Sequence, residues 1–179
     1  MTGTNGKTTT TSLLGEIMKC WKESVYVVGN IGNPYTQAAP KMTEESVTVA
    51  EISSFQLETI DEFAPKVSAI LNITEDHLNR HHTMECYSKT KENISMNQTK
   101  DDVCVLNMED EELYRFGSEC PAKVVWFSSK RKPEIGAYVQ GDDIRYTDGT
   151  TDELMLNVHD MNLLGTHNYE NCLLYTSPS

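Results

Sequence analysis

The stretch "MTGTNGKTTTT" at residues 1–11 constrains this chain more than any other. Glycines at 3 and 6 let backbone amides curl around an anion, and the lysine and threonine that follow complete a phosphate-binding pattern. Met1 stands where the longer G-x-x-x-x-G-K-S/T form has its first glycine, so the match is to the shorter G-x-N-G-K-T form. It makes Gly3, Thr4, Asn5, Gly6, Lys7, Thr8 and Thr9 candidates for phosphate contact. Leu13, Leu14, Ile17, Met18 and Trp21 recur at helical spacing, which predicts an amphipathic helix starting at the lysine and burying that face. Such a loop is normally entered from a buried strand. None precedes it here, which predicts that the 179 residues are one part of a longer protein, marginal or aggregating by themselves.

Short continuous apolar runs occupy 24–30, 46–52, 66–74, 102–107 and 123–128, as strands buried on both faces of a parallel sheet require. From residue 136 the pattern alternates around Gly-Asp-Asp, which predicts a hairpin, and "ELMLNV" supplies a further strand. The expected fold class is α/β: a P-loop-type, mostly parallel sheet flanked by helices, with a small antiparallel sheet appended near 136–160. A hydrophobic content of 38% is enough for one core. The net charge of −12 argues against nucleic acid or an anionic membrane as partner. Cys20, Cys86, Cys104, Cys120 and Cys172 are odd in number and lack C-x-x-C spacing, which fits reduced thiols in a cytoplasmic protein. The sequence shows neither a signal peptide nor an apolar run long enough to span a membrane.

Ligands of open parallel sheets bind beyond the carboxyl ends of the strands. There the sequence has "GNIGNP", "EISSFQLE" and "TEDHLNRHHTMECYSKTK" after three successive runs, and these converge with Lys7 and Thr8 on one crevice. Glu51 and the Thr8 hydroxyl offer the oxygen ligands that nucleotide-bound magnesium prefers, and His77 offers a nitrogen ligand or a proton-transfer group. By spacing alone Glu51 is equally a solvated strand-end carboxylate, His77 a helix cap, and Lys91 part of a solvated face. His81 and His82 are expected at the surface, since adjacent side chains point in different directions. Asn168 and Asn171 share a face if a helix starts there, or else Thr166–Asn168 is its cap.

The set "TGTNGKTTTT", "GNIGNP", "EISSFQLE", "ILNITEDHLNRH", "YSKTKENI" and "GTHNYEN" resembles the central ATPase domain of the Mur ligases, over residues 2–172. The loop is common to many ATPases, whereas "SSFQLE" between "GNIG" and "TEDH" is specific and resembles most the D-glutamate-adding branch. The resemblance implies an ATP-dependent acid–amino-acid ligase, with UDP-N-acetylmuramoyl-L-alanine and D-glutamate as substrates and an acyl phosphate as intermediate. It also implies ATP and Mg2+ as cofactors. Lys7 would contact the β and γ phosphates, and Thr8 and Glu51 would hold a first magnesium. His77 would hold a second, helped by Lys91 as a carbamate. Asn30, Ser53 and Gln56 would touch the muramoyl substrate, and Asn168 and Asn171 would lie near the adenine. The family's uridine-nucleotide and amino-acid domains would be absent from these residues, and 173–179 depart from its pattern as a divergent tail. Asn79 stands where the family usually has Asp, and His82 where glycine is common. The competing readings are another Mur or folylpolyglutamate-type amide ligase and a non-catalytic ATP-binding module.

Overall fold

The structure, a computed structural model, describes residues 1–160. Helix α1 (Lys7–Lys19) follows the loop, and strands β1 (Val25–Gly29) and β2 (Val47–Glu51) pair in parallel, with helix α2 (Tyr35–Ala38) in their connection. Next come helix α3 (Ser54–Leu57), strand β3 (Val67–Ile70) and helices α4 (Leu78–His81) and α5 (Met84–Glu92). Strand β4 (Val103–Asn107), helix α6 (Glu111–Phe116) and strand β5 (Lys123–Ser128) continue the alternation, and β3, β4 and β5 are parallel neighbours. Strand β6 (Gly136–Gln140) joins β5 in parallel through Trp126↔Gly136. Strands β7 (Asp143–Thr147) and β8 (Asp152–Asn157) then complete an antiparallel extension at that edge. The α/β class, a strand at each of the five apolar runs and the antiparallel extension match the expectation from sequence; β6, expected in the antiparallel part, adds a sixth parallel strand, and β1 and β2 form a two-stranded sheet separate from the six-stranded one.

Residues 1–3 lie between β2 and β3. The Met1 amino group donates to Ala50 O (2.6 Å) and Ile52 N to Met1 O (2.8 Å), while Thr2 N donates to Ala69 O (2.8 Å) and Leu71 N to Thr2 O (3.0 Å). These bonds alternate between two neighbours, as in a parallel ladder, and carry the chain into the loop at the carboxyl end of the sheet.

The strands are continuously apolar because successive side chains feed opposite cores. Ile70 and Leu106 join Ile52, Leu57, Tyr87, Ile94 and Leu113 on one face, while their chain neighbours Ala69 and Val105 join Val125, Phe127, Ala137 and Ile144 on the other. Among the described residues, Cys20, Cys86, Cys104 and Cys120 carry free thiols, and no helix is long and apolar enough to cross a membrane.

Helix α1 departs from the expected packing. Its buried residues are Thr10, Thr11 and Gly15, whereas Ile17 and Trp21 are 41% and 64% exposed. The helix approaches β1 so closely that a Cβ on Gly15 would lie 2.4 Å from Val27 Cγ2. Small side chains allow that approach, Leu13 packs against a core, and Ile17 and Trp21 are displaced outward.

Candidate functional site

The loop is shaped by Gly6, whose φ of 81° is left-handed and turns the chain into α1. The first turn of α1 holds no acidic residue and no side chain caps it, so its amides and positive end present themselves to an anion. Lys7 folds back over the loop, its ammonium donating to the carbonyls of Gly3 (2.9 Å) and Thr4 (2.8 Å).

Asn72, just beyond β3, pins the loop from beneath. Its Oδ1 accepts from Thr4 N (3.1 Å) and Asn5 N (2.8 Å), and its Nδ2 donates to Asn5 O (3.1 Å). Thr74 adds a reciprocal pair, donating its N–H to Thr4 Oγ1 (3.0 Å) and accepting from that hydroxyl at its carbonyl (3.2 Å). Sequence reasoning passed over Asn72. The available signal was an amide inside an otherwise apolar run, "KVSAILNIT".

Glu51 closes β2 at 1% exposure. Thr8 Oγ1 donates to its Oε2 (2.9 Å), and Asn30 Nδ2 donates to its Oε1 (2.8 Å). Asn30 N also donates to Glu51 O (2.8 Å), an approach left open because residue 29 is glycine. Gly29 has φ 108°, and a Cβ there would fall 2.1 Å from Glu51 O. The solvated-carboxylate reading of Glu51 is thus replaced by a buried one. Both partners of its side chain are neutral, and a buried carboxylate with neutral partners suits a bound cation.

Lys91 is 2% exposed, and its ammonium donates to Gly3 O (2.8 Å), the same carbonyl that Lys7 engages. It sits 4.6 Å over the Tyr87 ring, and the Tyr87 hydroxyl shares a hydrogen bond with Thr4 Oγ1 (3.2 Å). Burial first, and the neighbouring Lys7 charge second, push the Lys91 amine down to about 7. The solvated-face reading holds for Lys89, exposed and paired with Glu85 at 2.8 Å, but not for Lys91 two residues on.

His77 is exposed in a left-handed conformation (φ 50°, ψ 27°) at the start of α4, its ring 5.0 Å from Phe55 and 6.5 Å from Tyr87. Ser53 and Gln56 form a capping box on α3: Gln56 N donates to Ser53 Oγ (3.4 Å) and Ser53 N to Gln56 Oε1 (2.9 Å). The loop, Thr8, Glu51, Asn30 and Lys91 are therefore joined by direct contacts. His77 makes no direct contact with them among the described residues and approaches through the Tyr87 ring, and among those residues no three His, Cys, Asp or Glu side chains converge on a metal position. Asn168 and Asn171 lie outside the described residues.

His81 corrects the sequence reading outright. Instead of lying at the surface it is 3% exposed, with Nε2 3.0 Å from Ser54 Oγ and Nδ1 3.5 Å from Glu58 Oε1, and burial pushes its pKa down. His82, as expected, is exposed, and its φ of 66° is one that glycine adopts more readily. Asn79 is exposed on α4.

The family model for the Mur ligase middle domain matches residues 1–176. The chain belongs to the Mur ligase family. This Mur ligase chain is 70% identical over 171 residues to the UDP-N-acetylmuramoylalanine--D-glutamate ligase of Lachnospira eligens, covering 96% of the chain and 38% of that protein. The protein of that name in Clostridioides difficile is 57% identical over 173 residues, covering 97% of the chain and 38% of the relative. The chain thus spans 38% of the length of these relatives. In fold it is similar to MurF from Acinetobacter baumannii, with a TM-score of 0.72 at 16% identity over 98% of this chain and 40% of that one. It is likewise similar to Escherichia coli FolC in complex with ADP, with a TM-score of 0.59 at 14% identity over 99% of this chain and 53% of that one.

Proposed function

We propose that this chain is the ATP-handling part of a ligase that joins D-glutamate to UDP-N-acetylmuramoyl-L-alanine in peptidoglycan precursor synthesis. The carrying observation is the loop's construction: Lys7 and Lys91 meet on the Gly3 carbonyl, while Thr8 hydrogen-bonds the buried Glu51. The identity to named D-glutamate ligases supports the choice of substrates. Because the chain spans 38% of their length, ligation is assigned to a longer polypeptide containing these residues, with the uridine nucleotide and amino acid bound by parts beyond them.

ATP binds with its phosphates over the amides of residues 3–9, and Lys7 leaves the loop carbonyls to meet the β and γ phosphates. Phosphoryl transfer to the substrate carboxylate gives an acyl phosphate, which the D-glutamate amine attacks. Such transfer relies on positioning and charge neutralisation more than on covalent help. Mg2+ when bound neutralises phosphate charge. Thr8 and Glu51 suit it by their oxygen donors, and the neutral partners of Glu51 leave its charge for a cation. His77 serves the reacting carboxylate, and Lys91, buried and lowered to about 7, carries enough neutral amine near neutral pH to take up carbon dioxide as a carbamate. By the resemblance to the family, contact with the muramoyl substrate is assigned to Asn30, Ser53 and Gln56, and contact with the adenine to Asn168 and Asn171. The reaction takes place in the cytoplasm, without nucleic acid or membrane.

The test is ADP release by an intact ligase carrying this chain. It should require UDP-N-acetylmuramoyl-L-alanine and D-glutamate together, with L-glutamate at background. Equal turnover with another amino acid would reassign the substrate.

A further inference from the structure

We propose that His81 is a positioning residue: docked on Ser54 and Glu58, it holds closed the strained turn that presents His77 beside the phosphate loop. This role rests on His77 serving the reacting carboxylate, as proposed above.

Helix α4 is four residues long, too short to hold its own shape in water. It is flanked by non-glycine residues with positive φ, His77 at 50° and His82 at 66°. Strained residues persist only where surrounding structure over-determines them. Two residues of α4, Arg80 and His81, make polar contacts with α3 and its C-cap. Arg80 donates to both oxygens of Glu58 (3.2 and 2.6 Å), a restraint that solvent weakens because the arginine side chain is 59% exposed. His81 is the buried contact, with Nε2 3.0 Å from Ser54 Oγ and Nδ1 3.5 Å from Glu58 Oε1. A buried imidazole without partners is costly, so these two groups fix the ring's orientation and, through it, that of the turn.

The ring also lies between two aromatic groups that reach the site. Phe55 stacks at 5.9 Å and 10°, and it also meets the His77 ring at 5.0 Å and lies under the Arg80 guanidinium at 5.6 Å. Tyr87 packs at 5.1 Å, and it hydrogen-bonds Thr4 and lies under the Lys91 ammonium. His81 thereby sits where the capping-box helix α3, the His77 turn, and the α5 face bearing Lys91 meet. None of its described contacts is to the phosphate loop, so it acts through the groups around it.

The experiment uses an intact ligase carrying this chain. His81→Phe keeps a stacking ring and removes both polar contacts. Expected are a fall in kcat of about tenfold or more, a KM for ATP within about twofold, and a melting temperature within a few degrees of the parent. Adding His82→Gly should return most of the lost kcat, since glycine adopts that φ without strain and less holding is required. The role is overturned if His81→Phe keeps kcat within about twofold, or if kcat, ATP KM and melting deteriorate together without recovery in the double variant. Should His81→Phe fail to fold, Ser54→Ala reads the same contact: a folded variant with kcat about threefold lower supports the role, and parental kcat overturns it. An unmodified ligase that releases no ADP in response to D-glutamate overturns the functional reading and this role together. A silent His81→Phe in an active ligase overturns this role alone.

Discussion

Lys91 and Gly3 lie 88 residues apart in sequence and meet at 2.8 Å, the side-chain ammonium donating to the carbonyl. Gly3 O also accepts from Lys7, so two cationic groups converge on the oxygen that opens the phosphate loop. Like charges at this range repel. Conversion of one of them to an anion would relieve that repulsion, and Lys91 is the one that burial has brought closest to losing its charge.

Lys91→Ala should therefore lower ligase activity on the order of a hundredfold, the upper range for losing a group that supports a metal site. Short carboxylic acids should restore part of it by occupying the vacated position, whereas Lys91→Arg should not respond. Near-parental activity of Lys91→Ala, or no rescue at any acid concentration, would remove the carbamate from the mechanism.

The same lysine makes stability depend on pH. Its folded-state pKa, about 7, lies below the ordinary lysine value of 10.5, so the unfolded chain binds more protons between those two values. The penalty for burying the ammonium is complete below pH 7 and lifts as pH rises toward 10.5. Measured as urea midpoints in carbonate-free buffer, the parent should gain on Lys91→Met between pH 7 and pH 9. A constant gap between the two proteins would show that the ammonium is not desolvated.

Gly29→Ala should cost more than about 3 kcal/mol, because it combines strain at φ 108° with a Cβ 2.1 Å from Glu51 O. Gly141, also at positive φ (64°) but with nothing within 4 Å of an added Cβ, should cost only about 1 kcal/mol as alanine. Thermal denaturation of the two variants checks the order, and equal losses would mean that β1 and β2 are less closely apposed at this point.

Much of this was legible in the sequence. The apolar runs located β1 to β5, because strands buried on both faces leave an uninterrupted signal, whereas β6, read as one arm of a hairpin, also pairs in parallel with β5. The loop before α1 was legible from glycines and a lysine at fixed spacing, and Glu51 from its place at the end of an apolar run. Two things were not legible. The fully buried side of α1 is threonine and glycine; of the apolar residues at helical spacing Leu13 packs against a core, whereas Ile17 and Trp21 face outward. The burial of His81 depends on α4 folding over α3 through two left-handed residues, a tertiary event that local periodicity does not encode.

Asn72→Ala removes three hydrogen bonds that hold the loop at Thr4 and Asn5, and Glu51→Gln removes the buried charge beside Thr8. Calorimetric titration with a non-hydrolysable ATP analogue and Mg2+ should show each variant weaker by about tenfold or more. Without Mg2+ only Asn72→Ala should differ from the parent. If Glu51→Gln weakens metal-free binding equally, the carboxylate supports the loop and not the cation.

The central claim is that ATP bound at this loop activates a carboxylate by phosphorylating it. The direct measurement labels the terminal carboxylate of UDP-N-acetylmuramoyl-L-alanine with heavy oxygen and follows the label through turnover by an intact ligase carrying this chain. The expected result is one labelled oxygen in each phosphate released, in step with amide formed. Unlabelled phosphate accompanying amide formation would contradict it.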